Sequence, residues 1–309
     1  MSNKDIKDIA EAVRDKRCVV FAGAGISRDA GLPDWLTLGK ELFNRFEKEK
    51  IPTDYKVAIH TMLSSKETLL DGIGVLLNVI NRFNITAALR DLLKPKQESV
   101  THKELGRLKL RGFITTNYDR LLDDMLTQTD YRRLTNSIPD LRSTGRVLDS
   151  STPFLLKLHG DIDNELSPDS LDVAKGGGPF MVLSKADYTA LIQGERGEEL
   201  RLALHAILQK ASILFLGYGF TDPDVRLALD YLSRYSSFPH QSWFVGLERE
   251  TLSSLPPNIK VIQPIKEWTE LPSWLNEIFK ETRVSVEAVS EPKIIKLTEE
   301  EKRAIRALA

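Results

Sequence analysis

The chain has 309 residues and a formal net charge of −1 at pH 7, with 41% of its residues hydrophobic and 28% charged. A chain of this length buries a sizeable core, and its balance is that of a globular protein, not a disordered one. Near-neutrality without a long Lys/Arg run gives no electrostatic case for direct binding to nucleic acid or to an anionic membrane.

A single cysteine, Cys18, excludes an internal disulfide and a cysteine-rich zinc site. Set in an apolar run, it reads as a small core residue. The polar start, Ser2 to Lys7, holds no signal-peptide core, and apolar runs such as 75–80 and 213–216 fall far short of a membrane span. The expected compartment is therefore the cytoplasm.

In chain order, Ile6, Ile9 and Val13 share one face of a helix over 5–17. Residues 18–22 then read as a buried strand stopping at Gly23. The stretch GAGISRDAGLPDW (23–35) follows, and it is either a phosphate cradle or a tight strand-to-helix turn. It is not a dehydrogenase fingerprint, because Arg28 stands where the third glycine belongs, and it is not a P-loop, because no Gly-Lys-Ser/Thr follows. Its small residues still let backbone approach a pyrophosphate, and the turn after them offers N–H groups and the Ser27 hydroxyl.

Helical periodicity continues over 36–50, 55–63, 66–81 and 85–94, too long a run for a simple crossover. A helical subdomain covering one side of the sheet is expected there. The α/β alternation resumes with helix 101–110, strand 112–115 and helix 120–126. Strand 154–158 stops at His159-Gly160, and residues 161–179, with three consecutive glycines, read as a loop. Ser184 and Asp187 form an N-cap pattern opening a helix to Ile192, and 198–210 is helical. Strand 212–216 ends at Gly217-Tyr218-Gly219. Asp222 then caps a helix running from Pro223 to about Tyr235. Strands 242–247 and 259–264 and a helix over 268–283 close the pattern.

The alternation implies an α/β fold: a Rossmann-like parallel sheet with helices on both faces and a helical subdomain, about 36–100, inserted after the first strand. One domain spans 1–285, and 286–309 reads as a charged tail, linker or docking helix. In such sheets ligands bind beyond the carboxyl ends of the strands. That rule gathers four loops into one candidate site: 23–35, 116–119, 159–161 and 217–224.

Three of these loops carry FITTNYD (113–119), LLKLHGD (155–161) and LFLGYGFTDPDV (214–225). Together with the first and in this order, they resemble the sirtuin superfamily, in the bacterial sirtuin-like branch found in anti-phage defence proteins. The likeness spans roughly residues 10–280 as ordered motifs. It implies that Ala22, Gly23, Ala24, Gly25 and Ser27 form the phosphate- and ribose-binding loop for NAD. Asp34, after Pro33, matches the segment closing over the nicotinamide half. Thr116 stands where the family carries Gln. Asn117 matches the amide orienting the nicotinamide ribose and the attacking water, Asp119 the acid reading the carboxamide, and His159 the catalytic histidine. Gly217 and Tyr218 match the loop beside the adenosine ribose.

The departures count equally. The four-cysteine zinc module of the family's protein deacylases is absent, and the usual Phe-Arg after Pro-Asp is Trp35-Leu36. The expectation is therefore a NAD hydrolase, with NAD as substrate, no further cofactor and no zinc, acting as a defence effector. Its activity is expected to be gated by homo-oligomerisation or by a sensor subunit such as a ring-forming ATPase or an Argonaute-like protein. The alternatives are a NAD-dependent protein deacylase and a non-catalytic module sensing NAD or ADP-ribose. Asp119 also reads as a helix cap, Trp35 as a loop anchor or a nicotinamide wall, and His60, His102, His205 and His240 as structural.

Overall fold

The computed structural model describes residues 3–47, 51–65, 67–163, 171–219, 239–247 and 259–290. Strands β1 (Cys18–Ala22), β2 (Gly112–Thr115), β3 (Arg132–Thr135), β4 (Phe154–Lys157), β5 (Ser212–Leu216), β6 (Ser242–Leu247) and β7 (Ile259–Ile265) form one sheet. All of its pairings are parallel, in the order β3-β4-β2-β1-β5-β6-β7. The Rossmann-like α/β reading is thus the observed one. The helix expected from Pro223 to Tyr235, its cap Asp222 and the tail beyond residue 290 lie outside the described residues.

Strand side chains alternate between two cores, which is why these strands read as continuous apolar runs. Val19, Phe21, Ile114, Leu156, Ile213 and Phe215 face one way. They pack under helices α8 (Ile138–Asp149), α9 (Leu171–Ala174), α10 (Lys185–Ile192) and α11 (Gly194–Lys210). Cys18, Val20, Phe113, Leu155 and Leu214 face the other. Their cover is α1 (Asn3–Arg14), α6 (Val100–Arg107), α7 (Leu121–Leu126) and α12 (Leu271–Ser290). Each such side chain contributes about 1.5–3 kcal/mol by leaving water. Burial, partly offset by Arg17, pushes the Cys18 thiol up to about 12, so it is inert core.

The sequence reading placed no element where strand β3 and helix α8 lie, although Ile138, Leu141 and Leu148 recur at helical spacing. The sheet-edge strand is Arg-Arg-Leu-Thr, with Leu134 alone fully buried. The capping box at Ser184 and Asp187 is present as expected, whereas α11 begins at Gly194, four residues earlier than the sequence reading.

The long helical stretch resolves into α2 (Trp35–Phe46), α3 (Thr53–Met62), α4 (Leu69–Val79) and α5 (Arg82–Leu92). These helices share a third core that includes Leu38, Leu42, Ile59, Leu69 and Leu76. That core also takes in Tyr118, Ile162, Met181 and Leu183, all beyond strand ends. The insertion therefore stands on the loops at the carboxyl edge of the sheet, and it does not cover a face as the sequence had implied. Ion pairing fixes it there. Arg82 grips Asp187 through two bonds of 2.6 and 2.7 Å and donates to the Met181 carbonyl at 2.8 Å, while Arg90 donates to the Ile162 carbonyl at 2.9 Å. At its neck the two chain ends meet. Lys96 N–H bonds the Ala30 carbonyl at 2.9 Å, and the Asp29 carboxylate accepts from Ser99 Oγ and Thr101 N–H, each at 2.7 Å.

Candidate active site

Strand β1 leads toward β2 on one side of the sheet, and β5 leads toward β6 on the other. The carboxyl ends of β1 and β5 therefore flank the switch point where a parallel sheet opens a crevice. Two glycine loops interlock there. Gly23 N–H donates to the Leu216 carbonyl and Gly25 N–H to the Gly217 carbonyl, both at 2.9 Å. A Cβ on Gly23 would lie 2.4 Å from the Gly217 carbonyl oxygen, and Gly217 itself sits at φ 59°. Side chains are excluded on both strands of this contact, so backbone meets backbone. After Gly23 the chain forms a 3-10 turn, Ala24–Ala30, closed by Gly31. Ala22 ends the strand behind this turn, and its carbonyl accepts from Thr115 Oγ1 at 2.8 Å.

The loop after β2 is set from below by that threonine. Thr115 Oγ1 also accepts the Asn117 N–H at 3.0 Å, which turns the Asn117 side chain out of the strand. The Asn117 amide nitrogen is buried and finds no partner among the described residues. An orphaned donor costs about 1–3 kcal/mol, and a ligand acceptor recovers it. Asp119 is differently placed: Oδ2 accepts from Ser27 Oγ at 3.0 Å, and Oδ1 accepts the Leu121 N–H at 3.0 Å. It caps α7 and ties the β2 loop to the β1 loop at once.

Beneath this loop lies a charge cluster. Lys157, wholly buried at the end of β4, donates to the Asp119 carbonyl at 2.8 Å and to Asp123 at 3.1 Å, and pairs with Asp161. Arg133 of β3 joins Asp123 at 2.7 Å and Asp161 from the other side. Two cations and two carboxylates balance, as burial demands. Burial alone would raise the Asp161 carboxyl, but Lys157, the Asp163 N–H and Arg133 hold it below the usual range. The cluster holds both the Asp119 backbone and the turn carrying His159.

His159 is buried, and the Tyr188 ring of α10 meets it edge-on with centroids 5.0 Å apart. Gly160, at φ 77°, makes the turn possible, since a Cβ there would strike the Phe180 carbonyl at 2.2 Å. Tyr118 donates to the Val182 carbonyl and lies 5.8 Å from Trp35, centroid to centroid.

These loops enclose a cavity of about 510 Å³. Every residue singled out from the sequence lines it except Ala22: Gly23, Ala24, Gly25, Ser27 and Asp34 on the first loop; Thr116, Asn117 and Asp119 on the second; His159; and Gly217 with Tyr218. Asp34 also caps α2 through Thr37 N–H at 2.9 Å. Wall residues to which the sequence reading gave no role in the site include Arg28, Tyr188, Phe244 and Trp268. Trp268 lies just past the end of β7, whereas Tyr188 stands on a helix away from any strand end, so the strand-end rule gives no signal for it. It also missed Lys157, whose signal was a charge inside an otherwise apolar strand. One chemical expectation changes. The Ser27 hydroxyl and the N–H groups of Gly23 and Gly25 are already spent on protein partners.

Residues 111–261 match the model of the SIR2-like domain family. Among curated proteins, the chain is 27% identical over 238 residues to the NAD(+) hydrolase ThsA of Bacillus cereus, covering 75% of this chain and 42% of that one. It is 25% identical over 260 residues to Defense-associated sirtuin 2 of Bacillus subtilis, covering 80% of this chain and 23% of that protein. A NAD-dependent protein deacetylase of Staphylococcus epidermidis is 27% identical over 129 residues, 40% of this chain and 46% of the relative. The chain thus spans less than half the length of each of these relatives.

Proposed function

We propose that this chain, which carries a SIR2-like domain, hydrolyses NAD to ADP-ribose and nicotinamide as the effector of a bacterial anti-phage defence system. The observation that carries the reading is the cavity at the β1/β5 switch point. One wall joins His159 to the unpartnered Asn117 amide, and the opposite wall is glycine backbone. The hydrolase and defence relatives match over three quarters or more of the chain.

In this reading the bond between nicotinamide and ribose C1′ breaks, and its electron pair leaves with the ring, which departs neutral. The carbon left behind is oxocarbenium-like, so catalysis is chiefly positioning and electrostatics. The Asn117 amide holds the ribose and aims a water at C1′. As the new C–O bond forms, His159 accepts the proton that the water loses. Asp119, fixed by Ser27 and Leu121, reads the carboxamide, and Trp35 over Tyr118 walls the nicotinamide end. The reaction balances with NAD and water alone, and we assign it no metal.

Protein deacylation is the second reading, favoured by the partial match to a deacetylase. Trp35-Leu36 in place of Phe-Arg and Thr116 in place of Gln weigh against it. The test is nicotinamide release from NAD with and without an acylated peptide. Release without peptide supports hydrolysis; release only with peptide moves the chain to the deacylases. Gating belongs to the same proposal. Free NADase activity harms its host, so we assign control to self-association through the insertion or to a sensor subunit.

A further inference from the structure

A dinucleotide brings a doubly negative pyrophosphate into any site that holds it, and a site meets that charge with N–H donors or cations. Where the chain comes closest to the cavity as bare backbone, most of those donors are already spent. Gly23 and Gly25 give their N–H groups to β5 and its loop at 2.9 Å, Ile26 gives its own to the Gly23 carbonyl at 3.2 Å, and Ser27 Oγ gives its proton to Asp119. The 3-10 turn that follows is only seven residues long. It offers no helix terminus worth the name.

Among the described residues, the fixed charges along the wall are Asp34, Asp119 and Arg28. Of these, Arg28 alone attracts a phosphate. Arg28 is exposed, and its guanidinium has no ion-pair or hydrogen-bond partner among the described residues. It also occupies the position at which a dinucleotide fingerprint carries its third glycine. There, glycine lets a helix pack close to the strand; here a cation stands at the same point beside the glycine loops.

We propose that Arg28 is the pyrophosphate-recognising residue of this site, its guanidinium forking onto phosphate oxygens and supplying the charge that the loop's own N–H groups have given away. Planar, permanently charged and with several donors, a guanidinium suits that task better than an ammonium. The inference rests on the NAD reading above and adds the residue that selects for the phosphates.

Calorimetric titration tests it with ADP-ribose, and with adenosine as the phosphate-free probe, on the whole chain. Arg28→Ala is expected to weaken ADP-ribose binding by about tenfold or more, since a charge-assisted pair is lost. Arg28→Glu weakens it further and Arg28→Lys recovers part, while adenosine affinity stays the same across the set. Unchanged ADP-ribose affinity in Arg28→Ala overturns the proposal. An equal loss for adenosine also overturns it, because the residue would then serve the shape of the pocket. A wild-type chain that binds neither ADP-ribose nor NAD fails the NAD reading itself, which is a different result from wild-type binding that survives Arg28→Ala.

Discussion

Asn117 divides its work between backbone and side chain. Its N–H is held by Thr115, which leaves the amide nitrogen buried and unpartnered at the cavity wall. His159 ends β4 in a turn that only Gly160 permits, with Tyr188 against its edge. Both side chains line the cavity, so removing either is expected to cost activity and leave the fold. Asn117→Ala and His159→Ala should each lower NAD hydrolysis by about a hundredfold or more, the scale of a lost positioning or proton-transfer group. Steady-state rates beside thermal melting curves check this. A folded His159→Ala protein with wild-type turnover would remove the histidine from the mechanism.

At the scale of elements, α6 is fastened to the β1 loop through Asp29, and His102 is caught in the joint. Ser99 Oγ gives its one proton to Asp29 at 2.7 Å, so the His102 Nδ1 lying 2.7 Å from the same oxygen must be the donor there. Nε2 is then a bare, buried acceptor with no partner among the described residues. Burial lowers the His102 imidazole below its ordinary 6.5, although Asp119 and Asp29 pull the other way. Folding thus favours the neutral ring. Its contribution to stability is complete above about pH 6.5 and is lost as the pH falls below that, where the unfolded chain takes up the proton first. The depressed Asp161 carboxyl acts in a lower window: its stabilisation is present above the unfolded range, about 4, and fades as pH falls through the folded value. Urea unfolding at pH 7 and pH 5 is expected to show a smaller drop for His102→Gln than for the wild type. Equal drops would contradict the assignment.

The same elements show what a sequence discloses. Cys18–Ala22, Gly112–Thr115 and Ser212–Leu216 are buried on both faces, so their apolar runs announce them, and their glycine or polar ends announce a site. The edge strand Arg132–Thr135 has no such run because solvent takes one side, and helix Ile138–Asp149 was lost with it. The insertion was legible as helices but not in its seat, since packing onto loops leaves no periodic trace. Within the site, strand-end residues were readable, and Tyr188 was not, because tertiary packing of its helix alone brings it to the wall.

For the whole molecule, the insertion stands where it can act on the cavity it borders. Trp35, Leu38, Leu70 and Leu93 come from it or its edges and line the wall. Of the six exposed large hydrophobic side chains among the described residues, Tyr55, Val57 and Phe83 lie on it, which offers apolar surface to a second copy of the chain. Association there would favour the loop states that close over NAD, a shift needing only a few kcal/mol. Val57→Glu and Phe83→Glu are expected to lower both assembly size and activity per protomer, whereas Asn117→Ala lowers activity alone. Light scattering beside the NAD assay checks the pair; a monomer whose rate per protomer is independent of concentration would exclude assembly control.

The claim on which the rest stands is that this cavity breaks the nicotinamide–ribose bond of NAD with water. Its most direct measurement is nicotinamide and ADP-ribose release from NAD by the purified chain, over a rising series of protein concentrations, with His159→Ala in parallel and no peptide present. The account predicts equal amounts of the two products from the wild type and at most about a hundredth of that rate from the variant. Absence of release at every concentration, or release that requires an acylated peptide, would contradict it.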